Sequence, residues 1–367
     1  MVGRIAIAVV LAGLAPAQTV EQKPATTVEQ PKAAAQQPKG SAAQQPKTSG
    51  GESPQQKPIQ VQVNEVIVPV TVTDEKNRFV SNLDAKDFRV FDEGKEQQIH
   101  FFSREHNQPV VVGFLIDMSN ATRLHWKTYQ DAAIELVLNL LPGDKKFSGY
   151  LITYGNEAEL AVNTTSDSEP IVEKLRKIKP GGGAALYDSI YLACQKRNVV
   201  AGEPFDPRRV LIIIGDGHDT ASKKSLDEVL ELAQRNLVTV YGMSTVGFGF
   251  NSEGEKNLSR LAEATGGRVE YPLQGLYSNV SGYLSTPSDD GNYALAVGSG
   301  GYAAEISGGI FRAVANIAGE VTTQYILRYT PDINPKTEGK AFRNIHVAVN
   351  LQNVKIRARK GYYPQAP

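Results

Sequence analysis

The sequence feature that most constrains the fold is a continuous apolar run that ends in an acidic residue. Uncharged residues extend from Val110 to Ile116 without polar alternation, and Asp117 and Ser119 follow directly. A run of this kind is typical of a strand buried on both faces, in the interior of a parallel sheet. Ligands of open α/β sheets bind beyond the carboxyl ends of the strands, so chemistry is first expected at Asp117 and Ser119.

A second apolar run also ends in an acidic residue. Residues 210–219 read Val-Leu-Ile-Ile-Ile-Gly-Asp-Gly-His-Asp, which places Asp216 directly after a buried strand. Carboxylates and hydroxyls are ligands that hard cations prefer. If the two strands are neighbours, Asp117, Ser119 and Asp216 form one metal site.

The region from 107 to 320 alternates strand and helix patterns. This alternation predicts a doubly wound, mostly parallel α/β sheet, although the Gly-rich fingerprint of dinucleotide-binding folds is absent from the sequence. The predicted strands are 110–116, 147–154, 159–162, 210–215, 238–243 and 267–271, and the predicted helices are 124–140, 170–178, 186–197, 225–236, 255–264 and 310–321.

Two flanking regions, 58–106 and 321–367, show the period-two pattern of strands with one buried face. Neither region holds the roughly seven strands of a sandwich. We therefore expect the two flanks to pair into one flanking β-sandwich, with the α/β domain inserted between them. The row of Lys355, Arg357 and Arg359 could contact an acidic ligand, but it is interpreted as a charged, solvent-facing row that guards a sheet edge.

The start of the chain predicts export. Arg4 precedes an apolar stretch from Ile5 to Leu14, and Ala15-Pro16-Ala17 follows, which is the pattern of a secretory signal over residues 1–17. Residues 18–57 are rich in Gln, Pro, Lys and Ala and predict a disordered linker. We expect a periplasmic or extracellular protein with no transmembrane segment after cleavage.

The composition bears on the partners of the chain, on its cysteine chemistry and on the structure of residues 274–307. The chain has 39 basic and 39 acidic residues, so electrostatics give no reason to expect nucleic acid as a partner. The single cysteine, Cys194, permits no intramolecular disulfide and is expected to be buried and inert. Residues 274–307 are rich in Gly, Ser and Tyr without periodicity, and predict either a binding loop or disorder.

Three segments together carry a family resemblance: Asp-x-Ser at 117–119, Gly-Gly-Gly-Ala-Ala-Leu-Tyr-Asp at 181–188, and Gly-Asp-Gly-His-Asp-Thr at 215–220. They resemble a von Willebrand factor A (VWA) domain. The chain is also similar to the exported VWFA-related family described from Acidobacteria, including its segments 68–72, 87–88 and 360–363. Such domains carry a metal-ion-dependent adhesion site (MIDAS). The resemblance implies that Asp117, Ser119 and Asp216 are its ligands.

Two positions depart from that pattern. Ala121 stands where the motif has its second Ser, and Ala184 stands where the Gly-rich turn has its Thr. Methyl groups supply no oxygen, so we expect a degenerate site with no metal or with weakly bound Mg²⁺ or Ca²⁺. Oxygens that could substitute belong to Asn120, Thr122, Asp219 and Thr220. Alternatively, Asp117 and Asp216 only organise the loops and cap the helices that follow.

The function expected from these observations is a non-enzymatic protein-interaction or adhesion module. It would bind a protein or a cell-surface polymer at the strand-end rim, the edge of the sheet at which Asp117, Ser119 and Asp216 follow their strands. One alternative is a metal-assisted phosphoester hydrolase that uses Asp117, Asp216, His218 and Asp219, although an isolated loop histidine such as His218 is more often solvated. Another alternative is a structural component of an envelope assembly.

Overall fold

The computed structural model describes residues 65–104, 109–195, 207–246, 253–273, 299–333 and 341–364. These residues belong to one compact unit, Gln60–Pro367. The predicted signal peptide at 1–17 and linker at 18–57 lie outside the described residues. Within the described ranges, no helix combines the length and the hydropathy needed to cross a bilayer.

The strands and helices are labelled in chain order. The strands are β1 Val66–Asp74, β2 Phe88–Asp92, β3 Lys95–Gln97, β4 Phe101–Ser103, β5 Val110–Asp117, β6 Phe147–Tyr154, β7 Ala158–Thr165, β8 Arg208–Gly215, β9 Thr239–Ser244, β10 Val269–Glu270, β11 Tyr325–Tyr329, β12 Arg343–Val349, β13 Val354–Ala358 and β14 Gly361–Tyr362. The α-helices are α1 Trp126–Leu140, α2 Glu169–Lys177, α3 Leu186–Cys194, α4 Leu226–Arg235, α5 Glu253–Thr265 and α6 Ser299–Thr323. Short 3-10 helices span Ala85–Asp87 and Asn120–His125.

The central sheet has the order β10-β9-β8-β5-β6-β7 and confirms the predicted α/β class. All its neighbouring strands are parallel except β7, which runs antiparallel to β6. The apolar run of β5 lies in the middle and is buried along its whole length, as the absence of alternation predicts. Helices α1, α2 and α6 cover one face, and α3, α4 and α5 cover the other.

The two flanks pair with each other and form the predicted sandwich. One sheet has the order β13-β1-β11-β4, and the other has the order β14-β12-β2-β3. Each sheet therefore combines strands from before and after the α/β domain. Alternating apolar residues of both sheets fill the space between them, including Val68, Val70, Val90, Leu327 and Tyr329.

A buried carboxylate ties the two sheets of the sandwich together. Asp92 on β2 is fully buried, and its Oδ2 accepts hydrogen bonds of 2.9 Å from the hydroxyls of Tyr329 on β11 and Tyr362 on β14. Its Oδ1 accepts a 2.9 Å bond from the Arg343 guanidinium on β12. The charge of Asp92 is therefore compensated by strands that lie far apart in sequence.

Helix α6 starts earlier than the sequence predicts. The predicted helix was 310–321 and the preceding residues were predicted as loop, yet residues 299–307 are already helical; the rest of that loop, 274–298, lies outside the described residues. Packing of the apolar face of α6, with Ile310, Val314 and Ile317, outweighs the low helix propensity of its glycines. Gly309 is needed because a Cβ there would collide with the Pro272 carbonyl.

The interpretation of Lys355, Arg357 and Arg359 as a solvent-facing row is wrong for the two arginines. The Arg357 guanidinium donates to both carboxylate oxygens of Glu320 on α6, at 3.1 and 2.9 Å. Arg359 is buried and donates to the Leu237 carbonyl at 2.9 Å. The outward face of β13 packs against the α/β domain, so these side chains join the two parts of the molecule.

Glu320 is the centre of this junction. Its side chain is fully buried, and its Oε2 also lies 3.0 Å from Nε of Arg268, which directly precedes β10. Arg268 is paired with Glu270 at 2.8 Å as well. One acidic residue on α6 therefore contacts a basic residue from the sandwich and another from the central sheet.

A second junction lies where α6 passes into β11. Gln324 donates to Thr71 Oγ1 on β1 at 3.1 Å and to the Tyr241 hydroxyl on β9 at 2.9 Å. Its side-chain oxygen accepts a 2.7 Å bond from Arg208, whose guanidinium also donates to the Val321 carbonyl at the end of α6. Burial lowers the pKa of Arg208 to about 10.

Candidate functional site

The predicted site residues meet at the carboxyl edge of the central sheet. Strands β5 and β8 are parallel neighbours with Ile116 opposite Ile214, so Asp117 and Asp216 leave the sheet together. The two carboxylates are close enough that the charge of Asp216 contributes to a raised Asp117 pKa. The juxtaposition predicted for these two strand ends is therefore present.

Asp117 is the most buried acid of this edge, with 1% of its surface exposed. Its Oδ1 accepts a 2.7 Å bond from the Ser119 N–H, whereas Oδ2 has no hydrogen-bond partner in the described part of the chain. Burial raises the pKa of Asp117 to about 6, and the Asp216 charge adds to this rise. The Ser119 N–H opposes it most, and the Ser119 side chain and the Asp216 N–H oppose it further.

Ser119 also presents an unsatisfied oxygen. Its side chain is buried, and its Oγ lacks a hydrogen-bond partner among the residues described. The neighbouring Thr122 hydroxyl donates to the Ser119 carbonyl at 3.0 Å and so organises the loop after β5. Asn120 lies exposed at the start of the 3-10 helix, where its N–H donates to the Gly182 carbonyl at 3.0 Å.

Asp216 is paired with His218. Its Oδ1 accepts the His218 N–H at 2.9 Å, and its Oδ2 lies 3.1 Å from His218 Nδ1. The prediction of a solvated histidine therefore holds only in part, because the His218 ring is half exposed but also contacts the Asp216 carboxylate. Gly254 of α5 permits this arrangement, because a Cβ there would lie 2.7 Å from His218 Nδ1.

The Gly-rich turn is held by side chains that the sequence offered as substitute ligands. The Ala184 N–H donates to Thr220 Oγ1 at 2.9 Å. Asp219 accepts bonds from the Tyr187 N–H at 2.9 Å and from the Ser222 hydroxyl at 2.5 Å, near the start of α3. Asp219 and Thr220 therefore organise the turn and the helix that follows.

Two residues of the site were missed from the sequence. Asn156 accepts the Gly183 N–H at 2.6 Å and so fixes the Gly-rich turn; its position in the turn after β6 is the signal that could have identified it. Tyr154, the last residue of β6, is fully buried, and its hydroxyl has no partner among the described residues. Sequence gives no signal for Tyr154, since an aromatic residue at a buried strand end normally indicates core.

The donor atoms fit a weakly held cation. Asp117 Oδ2 and Ser119 Oγ are buried acceptors without partners among the described residues, and the charge of the Asp216 carboxylate acts on Asp117. Ala121 and Ala184 supply no oxygen, and the described residues contain no cluster of three or more His, Cys, Asp or Glu suited to a metal. Water would have to complete the shell of any ion held here.

These features define a class of domain: a three-layer α/β fold with an acidic strand-end site, here inserted into a β-sandwich. Residues 112–274 match the family model described as the von Willebrand factor type A domain. This part of the chain is therefore a VWA domain, and the predicted resemblance is confirmed to that extent. The search of curated proteins gave no match to the chain.

Solved structures with a similar fold come from several sources. BatB from Bacteroides thetaiotaomicron is 19% identical, covering 48% of this chain and 100% of that one, with a TM-score of 0.34. Proximal thread matrix protein 1 from the mussel byssus is 14% identical, covering 63% and 51%, with a TM-score of 0.42. The VWA-type domain of the pilus tip protein Mfa5 from Porphyromonas gingivalis is 23% identical, covering 31% and 39%, with a TM-score of 0.27.

Proposed function

We propose that the chain is an exported, non-enzymatic recognition protein that binds a protein or a cell-surface polymer through the strand-end rim of its VWA domain. The observation that carries this proposal is the pair of buried, unsatisfied oxygens on Asp117 and Ser119 beside the Asp216 carboxylate. Buried polar atoms without partners are costly to fold, so their position at one rim supports a ligand there.

The ligand is bound in one of two ways at this rim. A cation held by Asp117, Ser119 and Asp216 supplies an open coordination position for an acidic group of the partner. Without the cation, the same oxygens accept hydrogen bonds from donor groups of the partner. Because Ala121 and Ala184 provide no oxygen, binding is weakly metal dependent or metal independent.

The proposal also includes the cellular location of the protein. The apolar stretch after Arg4 and the Ala15-Pro16-Ala17 sequence support export to the periplasm or the extracellular space. The finer resemblance to the exported VWFA-related family of Acidobacteria supports the same location. Amino-terminal sequencing of the secreted protein is expected to begin near Gln18, and an intact terminus would contradict cleavage.

The assignment of the ligand positions is tested by restoring the missing hydroxyls. The double variant Ala121→Ser, Ala184→Thr is expected to bind Mg²⁺ at least about tenfold more tightly, because each hydroxyl adds a ligand for a hard cation. Isothermal titration calorimetry measures the affinity, and Ala85→Ser, an exposed alanine of the sandwich, is the matched control. Ala121→Ser alone serves as a second test, because Ala184 is buried and the larger Thr can disturb packing. Equal affinities in all variants would contradict the assignment.

Recognition itself is tested by reversing charge on the two edges of the sheet. Asp216→Lys changes the rim, whereas Asp144→Lys changes an exposed loop before β6, at the amino edge of the sheet. Retention of the purified chain on isolated cell envelopes of the producing organism is expected to fall at least about tenfold for Asp216→Lys only, the size of a lost charge-assisted contact. Equal retention of both variants and the unaltered chain would refute rim binding.

A phosphoester hydrolase is the second candidate, because His218 contacts Asp216 at 3.1 Å. This role requires a firmly held ion that activates water. Phosphoester turnover abolished both by EDTA and by Asp216→Asn would favour the hydrolase over the recognition module. A purely structural envelope component would instead form multimers and respond to neither treatment.

A further inference from the structure

Three residues form a row across the carboxyl edge of the central sheet. Tyr154 on β6 is paired with Asp117 on β5, and Gly215 on β8 follows the pair of Ile116 and Ile214. Side chains alternate along a strand, so Asp117, Tyr154 and position 215 face the same side of the sheet. This is the side covered by α3, α4 and α5.

The glycine in this row makes room for the tyrosine. A Cβ at position 215 would collide with the Tyr154 hydroxyl and would lie 3.1 Å from Asp117 Oδ2. The hydroxyl of Tyr154 therefore reaches across β5, and it ends beside the Asp117 carboxylate. A side chain at position 215 would fill the space that these two oxygens share.

The Tyr154 hydroxyl is unsatisfied in this position. It is fully buried and has no hydrogen-bond partner in the described ranges, and the same holds for Asp117 Oδ2 and Ser119 Oγ. Tyr150 lies on the same strand and the same face, but its hydroxyl meets the Ala193 carbonyl at 3.5 Å. The lack of a partner is thus a feature of the rim position and not of tyrosines on this face.

A hydrated cation would satisfy all three oxygens. Asp117 Oδ2 and Ser119 Oγ are direct ligands by their chemistry, while a neutral phenol is a good partner for a water molecule of the shell. Mg²⁺ retains several of its waters in proteins, so such a contact is available at a site with few protein ligands. Residues that hold the outer shell typically change metal affinity 10- to 100-fold when removed.

We propose that Tyr154 is a positioning residue of the strand-end cation site, whose hydroxyl holds a water molecule of the cation's shell beneath Asp117. The inference rests on the proposed function, because it assumes that the rim holds an ion. It brings the number of buried side-chain oxygens without a partner at the site to three, with Asp117 Oδ2 and Ser119 Oγ. It also assigns Gly215 the role of keeping open the space that Tyr154 and Asp117 share.

The test compares two tyrosine-to-phenylalanine variants of the full chain by calorimetric titration with MgCl₂. Tyr154→Phe is expected to lower the Mg²⁺ affinity about tenfold or more, and Tyr150→Phe is expected to leave it unchanged. The thermal midpoint without ions provides a readout of folding. It should not fall for Tyr154→Phe, which loses no hydrogen bond, so reduced ion binding would not reflect unfolding.

Each outcome decides the inference. An unchanged affinity of Tyr154→Phe, or an equal loss in Tyr150→Phe, overturns the role of Tyr154 while the cation site and the proposed function stand. No Mg²⁺ binding by the unaltered chain also overturns it, and envelope retention that still depends on Asp216 would then preserve metal-independent recognition. Tenfold weaker binding confined to Tyr154→Phe supports the inference.

Discussion

The junction at Glu320 gives the sharpest test of how the sandwich and the VWA domain stabilise each other. Replacing Glu320 by Gln keeps the shape of the side chain but removes the charge that pairs with Arg357 at 2.9 Å and with Arg268 at 3.0 Å. The guanidiniums of Arg268 and Arg357 then share a buried position that no longer carries a negative charge. We expect a large loss of stability from this single exchange of an oxygen for a nitrogen.

The magnitude follows from the contacts. Breaking a buried ion pair by removing one partner costs about 3–5 kcal/mol. The lower end applies, because the side chains of Arg268 and Arg357 are 21% and 22% exposed and Arg268 keeps its pair with Glu270. A loss of about 3 kcal/mol corresponds to a fall of the melting temperature by about 5 °C in a unit that spans Gln60–Pro367.

Urea unfolding followed by two probes measures this loss. The single tryptophan, Trp126, lies on α1 and reports on the VWA domain, whereas far-ultraviolet circular dichroism reports on the whole chain. The matched control is Glu96→Gln, whose pair with Arg89 is exposed at the surface of the sandwich, so solvent screens it and its loss is expected to change stability little. We expect the two probes to give one coincident transition in the unaltered chain.

Two results would refute the reasoning. If Glu320→Gln unfolds at the same urea concentration as the Glu96→Gln control, the buried acid is not needed to compensate the arginines. If the two probes give separate transitions in the unaltered chain, the sandwich and the VWA domain unfold independently, and Glu320 does not join them in one cooperative unit.

Two further predictions concern pH and chain integrity. The folded pKa of Asp117, about 6, lies above its ordinary value of 3.8, so the free energy of unfolding should fall by on the order of 3 kcal/mol as pH rises from about 3 to about 7. Asp117→Asn should remove this slope in urea titrations without divalent ions, and an unaltered slope would exclude Asp117 as its source. Deletion of residues 321–367 should unfold the amino-terminal flank, because β1 loses both neighbours, β11 and β13. Limited proteolysis checks this, and a resistant fragment of residues 59–104 folding alone would contradict it.

The fold and the location of the site could be predicted because their sequence signals are local. A continuous apolar strand that ends in Asp117, and a second one that ends before Asp216, indicate buried parallel neighbours and a shared edge. The pairing of the flanks was predictable from the number of strands, since neither flank is a complete sandwich.

The remaining features depend on which elements pack together. Period-two alternation places Arg357 and Arg359 opposite the sandwich core, but it does not show that α6 and the end of α4 cover that face. The unsatisfied hydroxyl of Tyr154 depends in the same way on the glycine two strands away. Helix α6 begins in a Gly-rich segment whose low helix propensity conceals it in the sequence, and the packing of its apolar face at Ile310, Val314 and Ile317 is not visible there.

The insertion of the VWA domain has a mechanical consequence. The chain leaves the sandwich after β4 and returns in β11, and these two strands are hydrogen-bonded neighbours, with Ile326 opposite Ser103. Tension applied to the protein through β1 and β14 is carried by the sandwich ladders and by the contacts around Asp92. The carboxyl edge of the central sheet, with Asp117 and Asp216, lies outside these ladders.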